Sequence, residues 1–187
     1  DMIKKYNIIY ADPPWSYNRK IGRGIAETQY QTMSIEEIGS IPVNKITADD
    51  AMLFLWVTFP QLKEGLSVIE SWVFKYKTCA FNWIKQNLKS DTFFAGLGFW
   101  TRSCSEICLL ATKGHPRRVS TNVRQLCIAH RMQHSKKPDE IRDRIVELCG
   151  DLPRIELFAR ETSEGWDCLG NEIDGRDIRD AIEELLR

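Results

Sequence analysis

One stretch near the start of the chain reads Ile8-Ile9-Tyr10-Ala11-Asp12-Pro13-Pro14-Trp15. Its first four residues form an unbroken apolar run, which is typical of a strand buried on both faces of a parallel sheet. Proline fixes φ and has no backbone N–H, so the strand is expected to end where Pro13 and Pro14 follow. The stretch therefore predicts a buried strand with a carboxylate, Asp12, at its carboxyl end.

The remainder of the chain alternates apolar runs with amphipathic segments. Further strands are predicted at residues 51–57, 76–84, 106–112 and 155–159, with a turn or short strand at 165–170. Helices are predicted to begin at Ser34, Pro60, Pro138 and Asp174, and loops or irregular segments at 16–32, 85–105 and 113–137. This alternation predicts an α/β fold with a mostly parallel, twisted sheet and helices on both faces. Ligands of such sheets bind at the carboxyl ends of the strands, where Asp12 is placed.

The length of 187 residues suits one domain, which we assign to residues 2–187 because Asp1 before Met2 resembles an expression scar. The hydrophobic fraction of 43% and the charged fraction of 28% are typical of a folded soluble protein. No apolar run approaches the ~20 residues that cross a bilayer, and no signal peptide is recognisable. These features predict a cytoplasmic protein that does not enter a membrane.

Six cysteines are spread along the chain, most of them inside apolar segments. This usage favours reduced, buried thiols over a disulfide framework. A zinc site can be drawn from Cys104, Cys108, Cys127, His130 and His134, but their spacing matches no compact zinc pattern. No metal ion is therefore expected.

The net charge is zero, but the charges are unevenly distributed. Nine basic and three acidic residues lie between Lys113 and Arg144, whereas residues 145–187 carry five basic and twelve acidic residues. A basic segment beside an acidic one indicates that one face of the protein meets phosphates, with residues 113–137 as the phosphate track. The alternative is a solvated basic loop, and charge alone does not separate the two.

The segment from Asp12 to Trp15 has a chemical interpretation if the substrate is an aromatic amine. The lone pair of such an amine is delocalised into its ring, so the nitrogen is a poor nucleophile. Asp12 and the rigid carbonyl of Pro13 can each accept one N–H, which draws the nitrogen toward tetrahedral geometry and frees the lone pair. Trp15 offers a flat face for a base, worth ~1–3 kcal/mol per stacked base. The alternative is a strand-ending turn with a buried tryptophan.

Further stretches accompany this motif in a fixed order: Tyr30-Gln31-Thr32-Met33-Ser34, Leu53–Thr58, Glu106–Gly114, Ser135–Glu140, Arg154–Arg160 and Gly170–Glu172. Together they resemble the MT-A70 family of adenine amino methyltransferases, to which the mRNA methyladenosine writer belongs. The resemblance implies a Rossmann-like fold and the cofactor S-adenosylmethionine. It also implies methyl transfer to the exocyclic amino group of adenine in a nucleic acid.

The resemblance implies roles for individual residues. It places Asp12, Pro13, Pro14 and Trp15 in the catalytic loop. Cofactor contacts are implied for Asp12, Lys137, Phe158, Arg160, Asn171 and Glu172. Substrate contacts are implied for Tyr30, Trp100, Glu106, Lys136 and Lys137. On pattern alone, Phe158 would instead be a core residue, and Glu156 a paired structural carboxylate.

Four positions depart from the family pattern: Lys136 replaces a histidine, Glu161 and Thr162 replace a His-Asn pair, and Glu172 replaces a glutamine. The compact chain resembles bacterial or phage members, so DNA is expected as the substrate rather than RNA. One alternative is a catalytically silent partner that binds nucleic acid or scaffolds an active methyltransferase. Another is transfer to a different amine, such as that of cytosine or a glutamine amide. Assembly as a homodimer, or with a related methyltransferase, is a further expectation.

Overall fold

The computed structural model describes residues 2–16, 32–133 and 136–187. Across these residues seven strands form one sheet: β1 (Tyr6–Ala11), β2 (Thr47–Val57), β3 (Lys75–Gln86), β4 (Ser105–Lys113), β5 (Leu126–His130), β6 (Arg154–Leu157) and β7 (Asp167–Leu169). The strand order is β5-β3-β4-β2-β1-β6-β7. All neighbours pair in parallel except β4, which is antiparallel to both β2 and β3. Six strands therefore share one direction, and the predicted mostly parallel sheet is confirmed.

Five α-helices accompany the sheet within the same ranges: α1 (Ile35–Ser40), α2 (Leu62–Ser71), α3 (Glu140–Cys149), α4 (Asn171–Asp174) and α5 (Ile178–Leu185). Alternate residues of β1 point to opposite faces. Ile9 and Ala11 pack in one core with α1, α2 and α5, whereas Ile8 and Tyr10 pack in a second core with α3. Burial on both faces explains why β1 and β2 contain unbroken apolar runs. The prediction of helices on both faces is confirmed.

Helix boundaries agree with the sequence where a local signal exists. The Ser34 hydroxyl accepts from the Glu37 amide at 3.1 Å, and the Glu37 carboxylate accepts from the Ser34 amide at 3.3 Å, so α1 begins at the expected capping box. The single helix predicted from Asp174 is wrong. Gly175 adopts a left-handed φ of 78°, which separates α4 from α5.

The strand β5 was not predicted, because it lies in the segment 113–137 that has an irregular pattern. Its residues Leu126 and Ile128 are half exposed, and Cys127 is buried against α3. A short strand at the edge of the sheet with one core residue produces too weak a period to recognise in sequence. The loop predicted to start at Lys85 also begins later, since β3 continues to Gln86.

The direction of β4 determines which residues reach each end of the sheet. Ile107 pairs with Val57 and Lys113 pairs with Ala51, so β4 runs against β2 along its whole length. Glu106 therefore lies at the carboxyl ends of the parallel strands, and Lys113 lies at their amino ends. Among the helices of the described ranges, none is long and apolar enough to cross a membrane.

Candidate active site

The carboxyl ends of the parallel strands bring together residues that are far apart in the chain. Asp12 follows β1, Phe158 and Arg160 follow β6, and Glu106 lies near the start of the antiparallel strand β4. Lys137 approaches the same end from the segment that precedes α3. The site therefore lies at the carboxyl ends of β1 and β6, where the strand order changes direction, as expected for an open α/β sheet.

Three of these side chains, Glu106, Lys137 and Asp12, form a chain of alternating charges with Lys85 of β3. The Lys137 ammonium lies 3.0 Å from Oδ2 of Asp12 and 3.1 Å from Oε1 of Glu106. The Lys85 ammonium lies 3.1 Å from Oε2 of the same glutamate. The side chains of Glu106 and Lys137 are 9% and 11% exposed, and that of Asp12 is 26% exposed. We call this set, Lys85–Glu106–Lys137–Asp12, the ion-pair chain.

Burial and neighbouring charges set the protonation of the ion-pair chain. Burial raises the pKa of Asp12, and the charge of Glu106 raises it further against the opposing effect of Lys137. Burial would also raise the pKa of Glu106, but the two flanking lysines outweigh it and lower that pKa. The two carboxylates raise the pKa of Lys137 despite its burial. Lys137 is therefore a fixed cation that Asp12 and Glu106 share, and Asp12 is the carboxylate that protonates first.

A small pocket opens beside Asp12, between the ends of β1 and β6. Its lining is mostly charged and comprises Tyr10, Asp12, Lys136, Lys137, Arg142, Glu156, Phe158, Arg160 and Glu161. At one wall the Arg142 guanidinium donates to both oxygens of Glu156, at 2.8 and 2.9 Å. Such a two-point pair satisfies a carboxylate that is buried in a strand. The interpretation of Glu156 as a paired structural carboxylate is thus confirmed.

The segment after β6 has an unusual backbone. Phe158 adopts a φ of 61°, in the left-handed region that a residue with a side chain rarely occupies, at a cost of ~1–3 kcal/mol. The next amide, of Ala159, donates to the Leu169 carbonyl at 2.9 Å. A Cβ at Gly170 would collide with the Ala159 carbonyl, so glycine permits this close approach. The contact holds the start of α4, with Asn171, against the segment that leads to Arg160.

Of the predicted cofactor residues, Asp12, Lys137, Phe158 and Arg160 line the pocket. Asn171 and Glu172 are exposed at the start of α4 and do not line it. Phe158 is partly buried and packs against the core as well, which its sequence pattern alone had suggested.

The predicted substrate residues divide into three groups. Glu106 and Lys137 belong to the ion-pair chain, whereas Lys136 pairs with Glu161 at 2.6 Å on the rim of the pocket. Trp100 was expected in the adenine pocket; its side chain is 96% exposed on the loop before β4 and does not line the pocket beside Asp12, and its contact with adenine stays a prediction. Tyr30 lies outside the described residues.

The expectation that Trp15 offers an open stacking face is wrong. Trp15 is 7% exposed, belongs to the core beside β1, and donates its indole N–H to the Trp56 carbonyl at 3.0 Å. The Trp15 amide donates to the Pro13 carbonyl at 2.9 Å. A carbonyl oxygen has two lone pairs, so Pro13 retains one for a second donor. Trp15 therefore anchors the segment from Asp12 to Trp15, which agrees with the alternative interpretation of a strand-ending turn with a buried tryptophan.

Three residues of the site were not found by sequence reasoning. Lys85 pairs with Glu106, Arg142 pairs with Glu156, and Tyr10 lines the pocket and accepts from the Trp56 indole through its hydroxyl at 2.7 Å. Each depends on a partner from a different element, so no local pattern marks it. The available signals were weak: Lys85 is a charged residue near the end of a strand, and Tyr10 carries a hydroxyl on an otherwise apolar strand.

The basic segment does not form one surface. Arg131, Lys136 and Lys137 lie at the end of the sheet that carries the site, but Lys113 and the exposed Arg117 follow β4 to the opposite end. The Arg131 peptide N–H donates to the Gln86 carbonyl at 2.9 Å, which fixes it beside β3. Phosphate binding by residues 113–137 stays a prediction, and the two ends of this segment lie at opposite ends of the sheet. Within the described ranges, which leave out His134, no three His, Cys, Asp or Glu residues are grouped to hold a metal ion.

The sequence of the chain is similar to sequences of known proteins. The sequence profile of the MT-A70 family matches residues 6–172. The chain is 40% identical to "Type II methyltransferase M.MunI" from a Mycoplasma species, over 91% of this chain and 78% of that protein. It is 31% identical to "Putative N(6)-adenosine-methyltransferase MT-A70-like" from Medicago truncatula, over 100% of this chain but 29% of that protein. It is 29% identical to human "N(6)-adenosine-methyltransferase catalytic subunit METTL3", over 96% of this chain and 30% of that protein.

Proposed function

The chain belongs to the MT-A70 family and is a methyltransferase, and on this premise we propose that it methylates the exocyclic amino group of adenine in DNA with S-adenosylmethionine as methyl donor. The observation that carries the proposal is the partly open Asp12 carboxylate at the end of β1, beside the pocket that Phe158 and Arg160 also line. A carboxylate in that position can accept from an amine while a second ligand occupies the pocket.

The pocket fits the chemistry of the proposed methyl donor. When bound, S-adenosylmethionine supplies a methyl group on a cationic sulfur, and that sulfur leaves as a neutral thioether. Asp12 contributes a carboxylate to the pocket lining, which suits a cation. Phe158 offers an apolar ring, and Arg160 offers a fork of donors for hydroxyl oxygens.

Asp12 and Pro13 act on the nucleophile. The Asp12 carboxylate and the second lone pair of the Pro13 carbonyl each accept one N–H of the adenine amino group. With S-adenosylmethionine bound, the nitrogen lone pair would form the new N–CH3 bond as the S–CH3 bond breaks, and the proton that the nitrogen loses would pass along its hydrogen bond to the Asp12 carboxylate and from there to water. A strong base is not needed, because the amine becomes more acidic as the methyl group is transferred. Asp12 therefore serves first as an acceptor that orients the amine.

Lys137 must yield part of its contact with Asp12 when the amine arrives. Glu106 makes this exchange inexpensive, because it already holds the same ammonium at 3.1 Å. The cation can lean toward Glu106 without becoming an unpaired buried charge, whose cost is several kcal/mol. Lys137 thus opposes the burial that raises the pKa of Asp12 before the substrate binds, and it can shift toward Glu106 afterwards.

Two observations support DNA as the substrate. The relative that matches at 40% identity is named a type II methyltransferase, and the chain spans 78% of its length. The relatives named for adenosine are matched at 29–31% identity, over less than a third of their own length. An adenine within a duplex would have to leave the base stack to reach Asp12.

The human relative is named a catalytic subunit, and assembly of this chain with a second copy or a related methyltransferase stays a prediction.

The test is transfer of radiolabelled methyl from S-adenosylmethionine to single-stranded and duplex DNA and to RNA of the same sequence, followed by nucleoside analysis. We expect label on adenine, with a higher rate on DNA. Label on cytosine alone, or on protein alone, would reject the proposal. If the protein binds oligomers and S-adenosylmethionine but transfers no label, the catalytically silent alternative holds instead.

A further inference from the structure

The segment from Asp12 to Ser16 is held in place by residues at the end of β2. The Trp56 carbonyl, on β2 itself, accepts from the Trp15 indole at 3.0 Å. Just beyond β2, the Gln61 side chain donates from its amide nitrogen to the Ser16 carbonyl at 3.1 Å. Gln61 is outside both the motif and the lining of the pocket, yet it fixes the last residue of this segment.

A short turn brings Gln61 to this position. Immediately after β2, the residues Phe59–Gln61 form a 3-10 turn, in which the Gln61 amide donates to the Thr58 carbonyl at 3.0 Å. Pro60 suits such a turn, because its φ is already helical and its missing N–H is not needed there. The turn therefore lies at the carboxyl ends of the parallel strands, where Asp12 also lies.

Glutamine is an unfavourable residue for this position if stability alone is considered. Gln61 is 8% exposed, and its side-chain oxygen has no hydrogen-bond partner in the part of the chain that the structure describes. A buried amide that makes only one bond loses hydration that an apolar side chain of the same length never had. The bond to the Ser16 carbonyl is therefore the contribution that distinguishes Gln61 from an apolar residue.

This bond belongs to a set that determines the direction of the Pro13 carbonyl. That carbonyl accepts from the Trp15 amide at 2.9 Å, so its direction follows the position of Trp15. Met33 contacts the same segment twice: its amide donates to the Pro14 carbonyl at 2.9 Å, and its carbonyl accepts from the Ser16 amide at 3.2 Å. A rotation at Ser16 would therefore be transmitted through Trp15 to the Pro13 carbonyl.

We propose that Gln61 is a positioning residue for methyl transfer, which holds Ser16 and thereby keeps the Pro13 carbonyl directed at the amine of the substrate. This inference rests on the proposed function, because that function assigns the acceptor role to Pro13. Gln61 acts through the backbone of the segment and not through the pocket. It should therefore affect the rate of transfer, which depends strongly on the orientation of the reacting groups, more than the affinity for S-adenosylmethionine.

The test compares Gln61→Met, which keeps the length of the side chain but loses the N–H donor, with the matched control Gln125→Met. Gln125 makes the same kind of bond, from its amide nitrogen to the Cys79 carbonyl at 2.8 Å, but it is exposed beside the amino end of β5. For each variant we would measure kcat on an adenine-containing single-stranded DNA oligomer, the Kd of S-adenosylmethionine by calorimetry, and the midpoint of unfolding in urea.

In Gln61→Met we expect kcat to fall by roughly threefold to tenfold, as for the loss of one hydrogen bond between neutral groups, while the Kd of S-adenosylmethionine stays close to that of the parent. The urea midpoint should stay the same or rise, because an apolar side chain replaces a buried amide that lacks one partner. Ser16 is partly exposed, so water can replace the lost donor. The control Gln125→Met should keep the kcat of the parent.

Hydrogen exchange gives a measurement that does not need the reaction. Proline has no amide N–H, so between Pro13 and Ser16 only Trp15 and Ser16 can exchange, and both of their amides are hydrogen-bonded. Mass spectrometry of a peptide that spans this segment should show faster exchange in Gln61→Met than in the parent or in Gln125→Met.

Two results would overturn the inference. They are an unchanged kcat in Gln61→Met, or a loss of kcat together with a lower urea midpoint, which would leave Gln61 a structural role only. Nucleoside analysis of the parent protein separates the two proposals. Methylated adenine with unchanged kcat and exchange in Gln61→Met rejects the role of Gln61 alone. Faster exchange without methylated adenine in the parent supports the hold of Gln61 on the segment and rejects the reaction.

Discussion

The two ends of the sheet carry their charges in opposite ways. At the carboxyl ends of the parallel strands, the ion-pair chain is largely buried and every member has a partner within 3.1 Å. At the amino ends, Arg117 and Arg118 are exposed beside the end of β4. There the carboxylate of Asp50 accepts from the His115 amide at 2.8 Å and caps the turn. The number of charges in a segment thus says little about where chemistry occurs.

Burial is the reason why we expect the carboxyl end to be the active one. A charge that is removed from water must be paired, and a pair in low dielectric responds strongly to a ligand that changes it. Exposed charges at the amino end are screened by water and salt, so their loss changes little. The variants below test this contrast with one substitution at each end of the sheet.

The largest effect is expected at Asp12. Asp12→Asn keeps the shape of the side chain but loses the carboxylate that accepts from the amine, so we expect kcat to fall by about 10²–10³-fold, as for the loss of one oriented group in an active site. Binding of S-adenosylmethionine, measured by calorimetry, should weaken much less than kcat falls, because Phe158 and Arg160 still line the pocket. The control is Asp49→Asn at the amino end, where the side chain is exposed. Equal activity of the two variants would contradict the assigned role of Asp12.

The second effect concerns stability. Lys137→Met leaves Asp12 and Glu106 without their shared cation, so the free energy of unfolding in urea should decrease by about 3 kcal/mol. Lys113→Met at the opposite end of β4 should change it by less than ~0.5 kcal/mol. The decrease should be smaller at acid pH, because protonation of Asp12, whose pKa is raised, neutralises one of the two carboxylates that Lys137 had paired. A pH-independent difference between the variants would argue against the shared-cation arrangement.

A smaller effect is expected from Lys85, which we regard as a positioning residue for Glu106. Removing a cation favours the protonated form of a neighbouring carboxylate, so in Lys85→Met the pKa of Glu106 should rise. The acid limb of the pH profile for methyl transfer should then move to higher pH, and Lys85→Arg should restore it. Lys89→Met, four residues further along the chain, should leave the limb in place. An unshifted limb in Lys85→Met would reduce Lys85 to a structural role.

The smallest effect is expected at the basic residues of the amino end. The double variant Arg117→Gln with Arg118→Gln removes two exposed charges far from Asp12, so kcat and the Kd for a single-stranded oligomer at moderate salt should stay within about twofold of the parent. A large loss of affinity would show that nucleic acid also contacts the amino end and would remove the contrast between the two ends.

Local patterns were sufficient for the parts of the fold that depend on neighbours in the chain. The apolar run before Asp12, the capping box at Ser34 and the alternation of strands and helices are all set by residues within a few positions of one another. The helix break at Gly175 and the edge strand β5 were missed, because a single glycine and a half-exposed pentapeptide carry weak signals.

The sequence by itself determined the α/β class and the placement of Asp12 at the end of a buried strand. The tertiary structure alone decided the direction of β4, the pairing of Lys85 with Glu106 and the burial of Trp15. The physical reason is the separation in the chain between the residues that interact. Backbone conformation and amphipathic period arise from adjacent residues, whereas the pairing of a charge or the environment of a ring depends on which distant segment lies against it. Reversing one strand, such as β4, exchanges the ends of the sheet at which its first and last residues lie.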